Sequence, residues 1–280
     1  MRLLFLGDVL GRTGRDAVIA ELPRMRAALA IDFCVVNGEN AAAGFGITDK
    51  ICKSFYEIGV DAITTGNHVW DQRELIGTIE SDSRLLRPAN FPPNTPGKGT
   101  RLFQLADGRR VVVINIMTRL FMDALDDPFQ VLDRELSGRT LGGTAAAILV
   151  DVHGEATSEK MALGHFLDGR VSLVVGTHSH IPTADAQILT KGTGYQSDAG
   201  MCGDYDSVIG MHKEAALYRF TRKLPGDRLT PADGPATICG VFVETDDVTG
   251  LARRIEPIRF GGRLKPAWPE SIDKIRLVPE

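Results

Sequence analysis

The sequence predicts an α/β fold, and two observations support this prediction. Short runs rich in Val, Ile and Leu alternate with stretches whose apolar residues recur at helical spacing, as in a parallel sheet with helical crossovers. In addition, five of these runs are followed directly by a polar cluster. Because polar residues at the carboxyl ends of strands converge in one crevice of an α/β sheet, the pattern also predicts where a functional site lies.

The first half of the 280-residue chain alternates regularly between the two kinds of element. The predicted elements are a strand at 3–6, a turn at 11–14, a helix at 15–29, a strand at 33–36, a helix from 48 or 49 to about 58, a strand at 62–65 and a helix starting near Asp71. Either Thr48 or Asp49 can cap its helix, because both side chains carry an oxygen that accepts a hydrogen bond from a first-turn amide. This βαβαβα order predicts parallel pairing of the strands.

The rest of the chain is less regular. Asp107-Gly108, between two apolar runs, is typical of a hairpin turn. The predicted elements are a proline-rich connector at 86–97, hairpin strands at 102–105 and 110–116, an irregular loop at 118–129 that could overhang the crevice, an alternating block at 145–175 with a helix at 157–167, and an antiparallel pair at 237–244 and 251–260. No repeat or linker interrupts this order, which predicts a single domain over residues 1–280.

Composition narrows the classes of function. The chain is 43% hydrophobic and 24% charged, which is ordinary for a soluble globular protein. Its net charge of −4 creates no global basic field, so there is no strong signal for nucleic acid or for an anionic membrane surface as a partner. No run approaches the roughly 20 apolar residues of a membrane span. Asp8 interrupts the short apolar start that otherwise imitates a signal peptide.

The four cysteines show neither a CxxC pair nor the spacing of a disulfide framework. Cys34 and Cys239 lie in strand-like apolar runs, which favours buried and reduced thiols. We therefore predict a cytoplasmic location.

The polar clusters hold residues that bind metals through oxygen or nitrogen. They are Gly7-Asp8, Gly38-Glu39-Asn40, Gly66-Asn67-His68, Asp151-Val152-His153 and Gly176-Thr177-His178-Ser179-His180. Taken singly, Asp8 is typical of a helix cap, Asn67 of a turn and His153 of a hydrogen-bonded strand end. All five clusters follow the carboxyl ends of predicted strands and so lie at the same edge of the sheet, and together they predict a metal site.

Two nearby ions need a shared carboxylate, because two dications repel each other unless an anion lies between them. We predict that Glu39 bridges the ions. One ion then has Asp8, Glu39 and His180 as ligands, and the other has Glu39, Asn67, His153 and His178. His68 follows a predicted ligand directly, which suits a general acid or a group that contacts phosphate.

Other polar residues are predicted to have ordinary roles. His165 and His212, on helical stretches, are interpreted as structural. Thr157-Ser158-Glu159-Lys160 is interpreted as helix capping and surface charge, so the lysine is not placed in the chemistry.

The order of these motifs resembles that of the calcineurin-like metallophosphoesterases. One departure is informative, because the usual bridging Asp is Glu39 here and is followed by Asn40. That variant resembles the YmdB-like branch, together with Gly66-Asn67-His68-Val69-Trp70-Asp71, Arg87-Pro88-Ala89-Asn90-Phe91-Pro92, Glu155-Ala156-Thr157-Ser158-Glu159-Lys160 and Thr183-Ala184-Asp185. The resemblance spans nearly the whole chain.

The resemblance implies a four-layer α/β/β/α sandwich with mixed sheets, and a di-iron or other two-metal centre. It also implies hydrolysis of small phosphodiesters, notably 2′,3′-cyclic nucleotides, and a homo-oligomer. Carried over by position, the first ion has Asp8, Glu39, Asn40 and His180 as ligands, the second keeps the set given above, and His68 is the proton donor. The ligand role of Asn40 is implied by the resemblance alone.

The predicted mechanism follows from two metals. A water between two dications loses its proton near neutral pH and becomes the nucleophile, while the ions neutralise the charge that develops on the phosphoryl group. His68 then protonates the leaving oxygen. A ligand set of oxygen and nitrogen without Cys fits iron, manganese or zinc, and iron is the first expectation because the resemblance implies it.

Several alternatives stay open. A phosphomonoesterase or a nuclease would use the same fold, and the missing basic bias argues mildly against long nucleic acids. A metal-stabilised regulatory module without catalysis is a second alternative. Such a module needs no proton donor, so the presence of His68 argues against it. An amidohydrolase-type enzyme also uses His-x-His, but after an early strand, whereas here the pair comes late. The glycines at 7–14 do not fit a dinucleotide-binding G-x-G-x-x-G motif.

Overall fold

Two β-sheets stacked face to face form the centre of the protein, in a computed structural model that describes residues 1–270. The first sheet contains β1 (Arg2–Leu6), β2 (Asp8–Val9), β3 (Phe33–Asn37), β4 (Ala62–Thr64), β11 (Met201–Asp204), β12 (Ala236–Thr245) and β13 (Ala252–Phe260). The second contains β5 (Thr100–Gln104), β6 (Arg110–Met117), β7 (Ala147–His153), β8 (Leu173–Thr177), β9 (Gln187–Ile188) and β10 (Gly194–Gln196). The helices are α1 (Gly11–Leu29), α2 (Asp49–Glu57), α3 (Leu75–Thr78), α4 (Pro128–Leu136), α5 (Thr157–Leu167) and α6 (Lys213–Arg222).

Strand pairing makes both sheets mixed. In the first sheet the order is β2-β11-β12-β1-β3-β4, with β13 paired to β12. Strands β1, β3 and β4 are parallel, whereas β12 is antiparallel to β1 and to β13. In the second sheet the order is β5-β6-β7-β8-β10-β9, parallel from β6 to β10 with antiparallel edges.

Three apolar cores separate four layers. Leu3, Phe5 and Val35 of the first sheet pack against Val113 and Leu149 of the second. The opposite face of the first sheet packs on α1 and α2, and the opposite face of the second sheet packs on α4 and α5. Alternate residues of the strands therefore enter different cores, as the period of two in a strand requires. The α/β/β/α sandwich with mixed sheets is confirmed.

Several local predictions are also confirmed. The side chain of Thr48, rather than that of Asp49, caps α2 by accepting a hydrogen bond from the Ile51 amide at 3.3 Å. The hairpin of β5 and β6 forms around Asp107-Gly108, and β12 pairs with β13 as predicted. All four cysteines are buried and free.

Two helix starts were predicted wrongly. Helix α1 begins at Gly11 rather than at residue 15, because Gly14 is a packing residue and not part of a turn. A Cβ at Gly14 would lie 2.0 Å from the carbonyl oxygen of Cys202, so the helix needs glycine there to approach β11. Near Asp71 the chain forms turns, and only α3 at Leu75–Thr78 is helical.

The loop predicted at 118–129 is shorter than expected. It ends at Asp127, whose carboxylate accepts hydrogen bonds from Phe129 and Gln130 and so caps α4. Its first residue, Thr118, donates its amide to the carbonyl oxygen of His153 at 2.9 Å, which places the start of the loop beside the predicted site.

No helix within residues 1–270 is both long and apolar enough to cross a membrane. The single domain over residues 1–280 stays a prediction, and its last ten residues lie outside the described part of the chain.

Candidate metal centre

The predicted ligands come together where the two sheets meet at one edge. Asp8 lies two residues beyond the end of β1, and Glu39 lies two residues beyond the end of β3. Asn67 follows β4, His153 ends β7 and His178 follows β8 directly. These are the carboxyl ends of parallel strands, which converge as the sequence predicts. The first sheet supplies the carboxylates and Asn67, and the second supplies the imidazoles of His153, His178 and His180.

Three atoms with lone pairs lie close to Nε2 of His153. Its Nε2 atom lies 2.9 Å from Oε2 of Glu39, 3.0 Å from Oδ1 of Asn67 and 3.1 Å from Nδ1 of His178. Ligand atoms of Glu39, His153 and His178 all lie within 4.8 Å of one another. Without a cation among them, these atoms would repel each other.

The Thr177 hydroxyl, on the side of the ring away from the cluster, fixes the tautomer of His153. The Thr177 hydroxyl donates its proton to Asp151 at 2.7 Å, so at 2.9 Å it accepts a hydrogen bond from Nδ1 of His153. Nε2 is then unprotonated and faces the cluster. Such support from groups behind a ligating histidine is usual in metal sites, because it fixes the ring and the tautomer.

A second group forms around Asp8 and His180. The carbonyl oxygen of Ile209 can only accept, so Nδ1 of His180 donates to it at 2.8 Å and Nε2 is left unprotonated. That Nε2 lies 3.9 Å from Oδ1 of Asp8, while Oδ2 of Asp8 accepts the His178 amide at 3.2 Å. The amide of His178 therefore connects the two groups.

Three buried oxygens make the centre suitable for cations. Oδ1 of Asp8, Oε2 of Glu39 and Oδ1 of Asn40 are buried and accept no hydrogen bond. Asn40 is oriented by its own Nδ2, which donates to the Gly44 carbonyl at 3.0 Å. Buried polar atoms are normally satisfied. Oxygens of this kind beside unprotonated imidazoles match the ligands that iron, manganese and zinc accept, so the residues fit the implied metals.

The electrostatics agree with this fit. Burial raises the pKa of Glu39 to about 7. It also raises the pKa of Asp8 well above its ordinary range, and repulsion by Asp198 and Glu39 adds to that effect. Burial lowers the pKa of His178 to about 3, which keeps the ring neutral. A cation binds best to imidazoles that are neutral and to carboxylates that water does not solvate.

His68 lies beside the cluster, and its ring contacts Asp71 and Phe45. Its amide donates to Oε1 of Glu39 at 3.3 Å, and its Nδ1 lies 2.9 Å from Oδ2 of Asp71. The Asp71 carboxylate favours the proton on Nδ1 and orients the ring, which also packs edge-on against Phe45. The imidazole remains partly exposed, at 29% of its side-chain surface, so a bound molecule can reach it.

Sequence reasoning missed several supporting residues. Asp151 belongs to one of the polar clusters without a predicted role, and it is a buried carboxylate that accepts hydrogen bonds from Asn37, Thr64 and Thr177. Glu155 lies 3.3 Å from Nε2 of His178, so its charge favours the proton there and leaves Nδ1 free. The position of Glu155 two residues after a predicted ligand was the signal that could have found it.

Lys160 was predicted wrongly. It was assigned to surface charge, but only 2% of the residue is exposed, and its Nζ donates to Asp198 and to the Thr177 carbonyl. Glu159 beside it is not an ordinary cap either, because its carboxylate accepts the amides of Arg119 and Leu120 and so holds the loop before α4. His165 is exposed on α5, and His212 precedes α6.

Gly66 lets the predicted ligands Glu39 and His153 approach each other. A Cβ at this position would lie 1.7 Å from Oε2 of Glu39 and 2.3 Å from Nε2 of His153. We expect Gly66→Ala to weaken metal binding and activity by about 10- to 100-fold, the usual cost of disturbing the support of metal ligands. Metal titration and turnover measure this effect.

Gly77→Ala is the matched control, because a Cβ at Gly77 meets nothing within 4 Å. Equal behaviour of the two variants would show that the crowding at Gly66 does not matter for the site.

Two mixed sheets packed between helices, with clustered carboxylate and imidazole groups at their shared edge, define the class of calcineurin-like metallophosphoesterases. Within that class the chain belongs to the YmdB-like protein family, whose model matches residues 4–258.

Three relatives illustrate the match. The 2′,3′-cyclic-nucleotide 2′-phosphodiesterase of Bacillus subtilis (strain 168) is 48% identical over 258 residues, which cover 92% of this chain and 96% of that protein. A crystal structure of a hypothetical protein from Thermus thermophilus superposes with a TM-score of 0.87 at 43% identity, covering 94% of this chain and 100% of the other. A phosphatase from Mycoplasma pneumoniae superposes with a TM-score of 0.85 at 32% identity, covering 93% of each chain.

Proposed function

We propose that this protein is a metal-dependent phosphodiesterase that hydrolyses small phosphodiesters, with 2′,3′-cyclic nucleotides as the expected substrates. The observation that carries the proposal is the cluster around Nε2 of His153, where Glu39, Asn67 and His178 each place a lone pair about 3 Å away. The 48% identity to a cyclic-nucleotide phosphodiesterase over nearly the whole chain supports the choice of substrate.

The proposed ligand sets are those that the family resemblance implies. Asp8, Glu39, Asn40 and His180 hold one ion, and Glu39, Asn67, His153 and His178 hold the other. The three unpaired oxygens of Asp8, Glu39 and Asn40 support two ions rather than one. We propose iron first, with manganese or zinc as alternatives. Two such ions, when bound, acidify water and stabilise negative charge on a phosphoryl group.

The chain's own residues supply the remaining chemistry. Hydrolysis of a cyclic diester adds one water, forms a new P–O bond and breaks the bond to one ribose oxygen, which must gain a proton. We assign that proton transfer to His68, because Asp71 holds its Nδ1 and leaves Nε2 for the substrate. The partial exposure of its side chain, beside the buried proposed ligands, supports this assignment.

A substrate panel tests the proposal. Protein loaded with Mn²⁺ or Fe²⁺ should hydrolyse 2′,3′-cyclic nucleotides and bis-nitrophenyl phosphate faster than nitrophenyl phosphate, a monoester. Removal of the metal by chelation should abolish turnover, and adding it back should restore it. Preferential hydrolysis of the monoester would favour a phosphomonoesterase, and no turnover on any ester would favour the regulatory alternative.

We propose two properties of the protein as a whole. The apolar side chains of Leu217, Phe220 and Leu224, each more than half exposed on or just after α6, support the predicted homo-oligomer. Four buried free cysteines support the predicted cytoplasmic, reducing compartment. Sedimentation analysis and cell fractionation test these two proposals.

A further inference from the structure

The loop that carries His178 and His180 has an unusual backbone. Both residues have positive φ values, +94° for His178 and +66° for His180. Residues other than glycine rarely adopt this conformation, and it persists only where the surroundings enforce it. The loop therefore needs groups that hold its peptide units in place.

Asp198 supplies the first of these groups. Its Oδ2 accepts hydrogen bonds from the Ser179 amide at 3.0 Å and from the Ser179 hydroxyl at 2.8 Å. Its Oδ1 accepts the Gly200 amide at 2.9 Å, and only 1% of the side chain is exposed. The carboxylate thus fixes the residue that lies between the two histidines.

Lys160 supplies the second group. Its Nζ atom reaches from α5 to donate to Oδ2 of Asp198 at 2.9 Å and to the Thr177 carbonyl at 2.7 Å. Thr177 precedes His178 and Ser179 follows it, so the ion pair holds the backbone on both sides of this ligand. Gly176 leaves room for the neighbouring strand and for the lysine, because a Cβ there would lie 1.7 Å from the carbonyl oxygen of Ser197 and 2.9 Å from Cδ of Lys160.

We propose that Lys160 and Asp198 are positioning residues that orient His178, and through the same loop His180, towards the metals. The proposal rests on the proposed function, in which these two histidines are ligands. A buried ion pair contributes little to stability by itself. Its value here is to fix where the imidazole nitrogens lie, and groups that orient ligands typically change metal affinity by about 10- to 100-fold.

The double variant Lys160→Met/Asp198→Asn tests the proposal without leaving an unpaired buried charge. Apo protein is titrated with Mn²⁺ while free Mn²⁺ is followed by electron paramagnetic resonance, and thermal unfolding of the apo form is measured in parallel. We expect the Kd for Mn²⁺ to rise about 10- to 100-fold and excess Mn²⁺ to restore much of the activity. A purely structural role would lower the unfolding temperature and leave the Kd of the folded protein unchanged.

Ser179→Ala is a milder variant that decides the question if the double variant does not fold. It removes one hydrogen bond to Asp198 and should weaken Mn²⁺ binding by roughly 2- to 10-fold. Lys53→Met is the matched control, since it breaks the exposed ion pair with Asp49 on α2 and should leave Mn²⁺ binding unchanged.

The outcomes distinguish this proposal from the proposed function. If the wild-type protein binds Mn²⁺ and hydrolyses diesters while the folded variants keep its Kd, the positioning role is overturned. If the wild-type protein itself neither binds Mn²⁺ nor hydrolyses any ester, the proposed function fails, and the positioning role fails with it.

Discussion

Glu39→Gln is expected to release at least one of about two bound ions and to lower turnover by more than about 100-fold. This loss exceeds that for groups that only orient ligands, because Glu39 is the proposed shared carboxylate. Glutamine has nearly the same volume, but it removes the anion that separates two cations. Its amide hydrogens can also donate to Nε2 of His153, now 2.9 Å from the carboxylate, and so occupy the space of the ion.

Elemental analysis of protein prepared with saturating metal, together with turnover, measures the effect. The unfolding temperature of the metal-free variant should equal or exceed that of the metal-free wild type, because a desolvated charge has been removed. Glu21→Gln, at the surface of α1 where the carboxylate pairs with Arg24, is the control for the same chemical change. Two ions and normal turnover in Glu39→Gln would place the bridge elsewhere.

His68→Ala is expected to lower kcat by roughly 10²–10⁴ with almost no change in metal content, the usual contribution of a positioned general acid. The side chain is held by Asp71 rather than by the cluster, so its removal leaves all the proposed ligands in place. The loss should be smaller for nitrophenyl diesters than for cyclic nucleotides, because a good leaving group needs less protonation as its bond breaks.

Three measurements check this expectation: metal content, kcat on cyclic nucleotides, and the dependence of kcat on the pKa of the leaving group. His165→Ala, which removes an exposed histidine on α5, is the matched control. Loss of metal in His68→Ala would make His68 a ligand. Equal losses across all leaving groups would mean that it binds phosphate without acting as an acid.

Much of this architecture is predictable from local patterns. Buried parallel strands have a clear sequence signature, and their carboxyl ends must share an edge, so Asp8, Glu39 and His153 were expected to lie close together. The roles of individual ligands stay predictions. The stacking of two sheets instead of one was implied by family resemblance alone, since strand order is not contained in alternating apolar runs.

Other features depend on partners that are distant in the sequence. Lys160 is buried only because Asp198, 38 residues later, meets it. The first residues of α5, Thr-Ser-Glu-Lys, are typical of an exposed helix start, so they do not indicate that the lysine is buried. Gly14 was interpreted as part of a turn because glycine favours turns, and only the nearby Cys202 carbonyl explains it. Close approach and buried pairing are properties of tertiary structure, so the sequence pattern does not reveal them.

The proposed ligands are divided between two sheets, and this division would link metal loading to the integrity of the sandwich. Glu39 and Asn67 belong to one sheet, and His153 and His178 to the other. Ions bound between them would cross-link the sheets, and a ligand that binds only the folded form stabilises it by mass action. The linkage is reciprocal, so a change that loosens the packing between the sheets far from the centre would also lower the affinity of the centre for metal. In a cell that is short of metal, the unloaded protein would then be the less stable population and the first to be degraded.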